Sequence, residues 1–516
     1  MSSEETLRLL PQLLRAGDFG GAENHLLAAL KVDPEHPALN AFAAFVSSNL
    51  SKREAAINFA RTAARGLELS PRSVAQAANL LAQFRHFDEA LAAARAIDIA
   101  AINDPVILDQ VGACFTACEA HQEAEAAYAK LVELIPNEAR CRFNLAAAQR
   151  FNGNLVDAAT NFDLACSSGP QAAEAAYARS LLRKAKPDQN NLDDLNRRIQ
   201  MANMDPFSYA SLIYAKGKEL EDLNKWPEAF SAWADGARKL RLSRPYSVEP
   251  EVDAINATID AWPLATIPYK KAELTPVFIV SLPRAGSTLL DRILSNRSDV
   301  ISAGETEDFI VSLLDEPTLA SLSHPVEMAR QTANIDIKAV GERYRTALKR
   351  RGYSSGHVID KTPTNFLYAG LIAQALPEAK IIHVARDPRD AAIATFKTLF
   401  RDRYFWSYDL KDLATYFSAY QCLMKHWLAN WPDRIERINY ENLVQNTEIE
   451  AQRMTKFLDL EWDPACLDFA KNRAAVSTAS AEHVRRPVYA SSIGHWKNFS
   501  GPLEAILPQL AGLRHD

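Results

Sequence analysis

The sequence offers no cysteine framework, no apolar run long enough to span a membrane and no surplus of positive charge. Its six cysteines keep no metal or disulfide spacing. Cys114 and Cys118 lie four apart on an expected helix, Cys141 and Cys166 sit in similar helices, and Cys422 and Cys466 are isolated, so buried small apolar residues in a reducing compartment are the simplest reading. A formal net charge of -6 argues against general nucleic-acid binding, while leaving room for a local basic pocket. The opening stretch MSSEETLRLLPQLLRAGDF carries acidic residues where a secretory signal needs basic ones and has no continuous apolar core. With no membrane span either, the expectation is a cytoplasmic protein. What is present is ordinary for a soluble chain: 516 residues, 48% hydrophobic and 24% charged, too long for one core, so two or more domains are expected.

The N-terminal half repeats. Ala22, Ala56, Ala90, Ala124 and Ala158 are spaced by 34 residues, with Phe19, Phe87 or Leu155 three before and Leu26, Ala60, Ala94, Tyr128 or Phe162 four after. Pro34, Pro136 and Pro170 close three of the units. This pattern resembles the tetratricopeptide repeat, in which a small residue lets two antiparallel helices pack closely and a proline ends the second. The resemblance implies an all-α solenoid over residues 1–262, looped or atypical near 174–198 and regaining its register at Gly217, Trp226, Ala229 and Trp233. A protein or peptide partner on that array is expected. A proline-punctuated linker over 263–273 then leads to a second domain over 274–516.

The second domain opens with PVFIVSLPRAGSTLL, Pro276 to Leu290, which reads as a buried strand, a tight loop and a helix start. Unpaired N–H groups and the positive end of the helix dipole favour a phosphate or sulfate there, with Arg284, Ser287 and Thr288 adding side-chain donors. The nucleoside-triphosphate loop pattern is not met: Ser281 stands at the first glycine position and the loop has no lysine. Read by itself, the stretch is as well described by an ordinary strand and a helix capped by Ser287 and Thr288.

Short apolar runs then alternate with helical patterns at His357 to Asp360, Lys380 to Ala385 and Arg434 to Asn439, the rhythm of an α/β domain with a parallel sheet and ligands at its carboxyl edge. Each run ends in polar residues: Asp360-Lys361-Thr362, then Arg386 to Asp390, then Tyr440-Glu441-Asn442. Lys361, Arg386 and Arg389 joined to Arg284 gather cations inside an acidic protein, which points to a polyanionic ligand. Arg389 and Asp390 are equally a solvated charge run at a helix start.

LPRAGSTLL, VARDPRD and INYENLV in this order resemble the sulfotransferase superfamily that uses 3′-phosphoadenosine 5′-phosphosulfate as co-substrate, a P-loop-like α/β fold. The resemblance implies that Arg284, Ala285, Gly286, Ser287 and Thr288 hold the 5′-phosphosulfate and Arg386 the 3′-phosphate. Ala303 to Thr306, Asp360 to Pro363 and RRPVYASSIGHWKN narrow it toward the tyrosylprotein sulfotransferases and the fusions of tetratricopeptide repeats with a sulfotransferase domain. By that likeness Glu305 is the catalytic base, Lys361 and Ser480 flank the transferred group, Arg284 neutralises its oxygens, Tyr440 faces the nucleotide, and Arg486, Trp496 and Lys497 belong to the C-terminal loop. The chain departs from the family at Ala394, where a serine usually donates to the 3′-phosphate and Thr395 or Ser480 would have to substitute. It departs again at His495 and Lys497, which replace the more usual arginines.

Sulfuryl transfer asks a protein for position and positive charge, as phosphoryl transfer does, and for a base that takes the acceptor's proton. No metal is expected, because no acidic motif shaped for magnesium adjoins the loop. The expected acceptor is a hydroxyl on a peptide tyrosine, a glycan or a small metabolite. Two other readings stay open: a non-catalytic repeat scaffold with a degenerate nucleotide-binding domain, for which Ala394 speaks, and a P-loop kinase, which the missing loop lysine weakens.

Overall fold

The computed structural model describes residues 2–513 apart from 168, 170, 202–203, 263–266, 321, 323 and 473–489. The chain divides into two compact units, Met1–Ala172 with Arg350–Gly352, and Ala173–Lys349 with Tyr353–Asp516.

The first unit is built of antiparallel helix pairs: Ser3–Arg15 with Phe19–Leu30, Pro37–Asn49 with Arg53–Ala64, Pro71–Gln83 with Phe87–Arg95, Pro105–Ala117 with His121–Leu134, and Ala139–Asn152 with Leu155–Ala165. The five register alanines all fall on the second helix of a pair and are fully buried, where a larger side chain would hold the helices apart. A second set at the same interval marks the helix starts: Pro37, Pro71 and Pro105 each occupy the first helical turn, where the missing N–H costs nothing. Pro34 and Pro136 lie in the turns after second helices, and Pro170 lies outside the described residues. Successive repeats are also tied by ion pairs, Lys52 to Glu23, Arg61 to Glu89 and Arg95 to Glu123, each at 2.7 Å. Exposed pairs of this kind contribute at most about 1 kcal/mol each, so the apolar cores carry the array.

His121 opens one of these helices buried against Phe151, with ring centroids 4.9 Å apart and neither ring nitrogen hydrogen-bonded among the described residues. Burial lowers its pKa from 6.5 to about 4. The unfolded chain therefore takes up a proton near pH 6.5 that the folded array refuses until about pH 4, and stability falls as pH drops through that window. We expect acidification from pH 7 to 4 to cost the helical array about 3 kcal/mol through this one residue. Urea unfolding followed by circular dichroism at both pH values checks it, with His121→Phe expected to remove most of the difference.

The second unit begins with five helices, Ala172–Leu182, Leu192–Ile199, Pro206–Asp222, Trp226–Ser243 and Glu249–Ala261, and continues into a five-stranded sheet. Gly217 lies so close to Trp233 that an added Cβ would stand 2.3 Å from the indole nitrogen, which lets Pro206–Asp222 and Trp226–Ser243 pack together. The strands are β1 Leu274–Val280, β2 Val300–Ser302, β3 Gly356–Asp360, β4 Lys380–Ala385 and β5 Ile435–Asn439. They pair in the order β2-β3-β1-β4-β5, all parallel.

Side chains alternate across the two faces of the sheet, and both faces are covered. Val277 and Ile279 join a cluster with Leu290, Ile293 and Ile382 on one side, while Phe278 and Val280 join Val358, Ile381 and Tyr344 on the other. Strands buried on both faces read as continuous apolar runs, as β1 and β4 do, while β3 and β5 showed through shorter apolar stretches. β2 did not: only three residues long, with Ile301 44% exposed, it carries no such run. The chain leaves β1 toward β2 and β3 on one side and later crosses to β4 on the other, so the crevice between β1 and β4 is the switch point where open parallel sheets bind ligands.

Candidate active site

Each of the five strands delivers candidate residues to its carboxyl end. Read across the sheet, these are Glu305 after β2, Lys361 after β3, residues 284–288 after β1, Arg386 after β4 and Tyr440 after β5. Only the sheet brings them to one edge, since they span 157 positions of sequence from Arg284 to Tyr440 counted inclusively.

In the central loop Arg284 (φ 65°) and Gly286 (φ 107°) are both left-handed, folding the chain tightly before the helix Ser287–Leu294. Gly286 also faces the Tyr440 ring, where an added Cβ would lie 2.3 Å from Cδ2. Left-handed backbone and ring contact both demand glycine. Gly286→Ala is expected to cost roughly 2 kcal/mol from backbone strain alone, read as a lower urea midpoint for the second unit. An unchanged midpoint would show that the loop relaxes freely.

On the β4 and β5 side the loop is held by direct bonds. Arg386 donates from Nη1 to the Arg284 carbonyl at 2.8 Å and from Nη2 to the Ser492 carbonyl at 2.9 Å, with its guanidinium 4.7 Å above the Tyr440 ring. Tyr440 Oη meets Ser492 Oγ at 2.8 Å. Thr395 donates its hydroxyl to the Pro283 carbonyl at 3.2 Å, so it bears on the loop from below, whereas Ala394 offers no hydroxyl. Arg389 is engaged elsewhere: it forks onto Asp387 and lies 4.2 Å over Trp496. Lys497 is exposed.

On the β2 and β3 side, Lys361 donates from Nζ to Glu305 Oε1 at 3.0 Å, the lysine side chain only 3% exposed and the glutamate 33%. The backbone fixes this pair. Ala303 N–H donates to Ile359 O at 2.8 Å and Lys361 N–H to Gly304 O at 2.9 Å, extending the β2–β3 pairing up to the two side chains. Beneath them Asp360 accepts from the Thr306 hydroxyl at 2.8 Å, the Thr362 N–H at 3.0 Å and the Asn365 amide at 3.3 Å, though burial still raises its pKa. Glu307 pairs with Arg403 at 2.6 Å, which separates its role from that of Glu305.

Two neighbours carry no sequence signal. Asp291 is buried one turn along the helix Ser287–Leu294, its pKa raised by burial against the opposing pull of Lys361. Tyr404, in a left-handed conformation, has its hydroxyl pKa pushed up by burial and by the Glu305 carboxylate. Ser492 is likewise legible only in three dimensions. Ser480 and Arg486 lie outside the described residues. Among the described residues no group of three or more His, Cys, Asp or Glu gathers as a metal site, and no helix is long and apolar enough to cross a membrane.

The sheet edge thus carries a left-handed turn into a helix start at its centre, the Lys361–Glu305 pair on one flank and Arg386 stacked on Tyr440 on the other. Residues 276–464, within the sheet-bearing part of the chain, match the family model described as Sulfotransferase family. The chain is 28% identical over 310 residues to a protein of Aquifex aeolicus (strain VF5) described as uncharacterized, covering 58% of this chain and 41% of the relative. It thus spans less than half the length of that relative. It is 22% identical over 285 residues to Protein-tyrosine sulfotransferase 1 of Danio rerio, covering 52% of this chain and 80% of the relative. The solved sulfotransferase domain of the Synechococcus PCC 7002 olefin synthase covers 49% of this chain and 98% of its own, at 17% identity and a TM-score of 0.32.

Proposed function

We propose that the protein transfers a sulfuryl group from 3′-phosphoadenosine 5′-phosphosulfate to a hydroxyl acceptor. The observation that carries this reading is the Lys361–Glu305 pair at the edge of a sheet whose central loop turns through two left-handed residues into a helix start. In the proposed reaction the acceptor oxygen attacks sulfur, its proton passes to Glu305, and the S–O bond to the 5′-phosphate breaks to release 3′,5′-adenosine bisphosphate. Lys361 and Arg284 neutralise the sulfuryl oxygens and the leaving phosphate, and Gly286, Ser287 and Thr288 supply donors at the helix start. Arg386, stacked on Tyr440, takes the 3′-phosphate. Thr395 stands closest to the role left open by Ala394, since its hydroxyl already bears on the loop. The sulfuryl group thus moves between two oxygens with charge supplied by side chains.

Peptide tyrosine is the first acceptor class to try, because the Danio rerio relative is a protein-tyrosine sulfotransferase. The repeat array is then a surface for recruiting that acceptor or a protein partner. Calorimetry with 3′,5′-adenosine bisphosphate, followed by labelled-sulfate transfer to peptide, phenol and glycan panels, tests the proposal. No binding of the bisphosphate would sink it, and transfer from ATP with magnesium would put a kinase in its place.

A further inference from the structure

We propose that Glu221, on the helix Pro206–Asp222, is a positioning residue that holds residues 490–499 against the nucleotide side of the site through His495. Its consequence for the nucleotide rests on the sulfuryl-transfer reading, whereas the geometry stands without it. Residues 490–499 are gripped from two directions. From the sheet, Arg386 reaches the Ser492 carbonyl, and Asp390, 1% exposed, accepts from Gly494 N–H at 2.7 Å and Trp496 N–H at 2.8 Å. From the helices, Glu221 Oε1 meets His495 Nε2 at 2.8 Å and accepts from Lys397 Nζ at 2.6 Å.

One carboxylate oxygen thereby joins a side chain of the 490–499 segment to a lysine one residue beyond the helix Pro388–Phe396, the helix that follows Arg386. The surroundings make this junction a fixed one. The Glu221 side chain is only 13% exposed, and Trp226 lies edge-on to both His495 at 5.6 Å and Phe499 at 5.7 Å. Phe499 is fully buried against Trp233, and Phe230 stacks on Phe396 at 5.2 Å. Burial raises the Glu221 pKa, yet Lys397 and His495 outweigh it and hold it at about 2. The carboxylate stays charged across the physiological range. The helix thus supplies a carboxylate partner for the His495 ring nitrogen.

The segment held in this way contacts the nucleotide-side residues directly. Ser492 accepts from Arg386 and meets the Tyr440 hydroxyl, and Trp496 lies under Arg389. Loosening the 490–499 segment therefore frees the Arg386 guanidinium from one of its two carbonyls and Tyr440 from its hydroxyl partner. The helices Pro206–Asp222 and Trp226–Ser243 are on this view part of the nucleotide site and not a separable support.

The test uses the full chain with Glu221→Gln, His495→Gln and the double variant. Hydrogen exchange by mass spectrometry reads residues 490–499, and calorimetry reads 3′,5′-adenosine bisphosphate. Both single variants should exchange faster there and bind roughly tenfold more weakly, with the double no weaker than the worse single. His495→Arg, which keeps a donor for Glu221, should bind within about threefold of the natural chain. Unchanged exchange in both singles overturns the proposal, as do losses that multiply in the double or bisphosphate affinity that holds while exchange rises. If the natural chain binds no bisphosphate, the sulfuryl-transfer reading and the nucleotide role of Glu221 fall together. The exchange arm then decides separately whether Glu221 holds the segment.

Discussion

Glu305→Gln is expected to lower kcat for sulfuryl transfer on the order of a thousandfold, within the range that a positioned general base supplies. Binding of 3′,5′-adenosine bisphosphate should change by less than about threefold. The asymmetry follows from where the residue sits. Glu305 stands after β2, with β3 and β1 between it and β4, on the opposite side of the central loop from Arg386, so the proposed chemistry is separated from the proposed grip on the nucleotide. Glutamine keeps Oε1 as an acceptor for Lys361, whose nearly buried ammonium would otherwise lose the partner 3.0 Å away. What it removes is the capacity to take a proton. Single-turnover transfer from labelled co-substrate separates the chemical step from product release, and calorimetry supplies the binding control. A parallel fall in nucleotide affinity would make Glu305 a structural residue.

Arg386→Ala should show the reverse pattern, weakening bisphosphate binding roughly a hundredfold or more, equivalent to about 3 kcal/mol. Its guanidinium holds the Arg284 carbonyl, the Ser492 carbonyl and the face of Tyr440 together, so its loss removes a charge and loosens the loop at once. Arg386→Lys separates the two effects. Lysine retains the charge and cannot reproduce the planar fork, so recovery of less than half of the lost binding free energy would assign most of the effect to geometry. Equal affinity for 3′,5′-adenosine bisphosphate and for 5′-adenosine monophosphate in the natural chain would remove Arg386 from the 3′-phosphate role.

Much of this architecture was legible because it is written in local patterns. The 34-residue alanine register exposed the helix pairs, and apolar runs exposed β1, β3, β4 and β5 within two residues of the ends read for them. The polar residues that follow those strands were legible for the same reason. β2 escaped because an edge strand of three residues has too little length to show a period, and Glu305 was singled out only by family likeness. Arg389 looked like one more cation for an anion, yet Asp387, two residues before it, neutralises it. Asp291, Tyr404, Glu221 and Ser492 were invisible for another reason. Their significance comes from partners far away in sequence, such as Glu221 and His495, and no periodicity records that.

The β2 edge strand has one further consequence. If Glu305 is the base, it is carried at the margin of the sheet, with β3 on one side and no strand on the other among the described residues, where sequence can change without disturbing the central strands. On the proposed reading the three inner strands set the choice of donor, since β1 and β4 carry the loop and Arg386 and β3 keeps Lys361 buried. Exchanging the β2 margin for that of a relative should redirect the choice of acceptor while leaving the donor unchanged, making this edge the natural point of divergence for the domain.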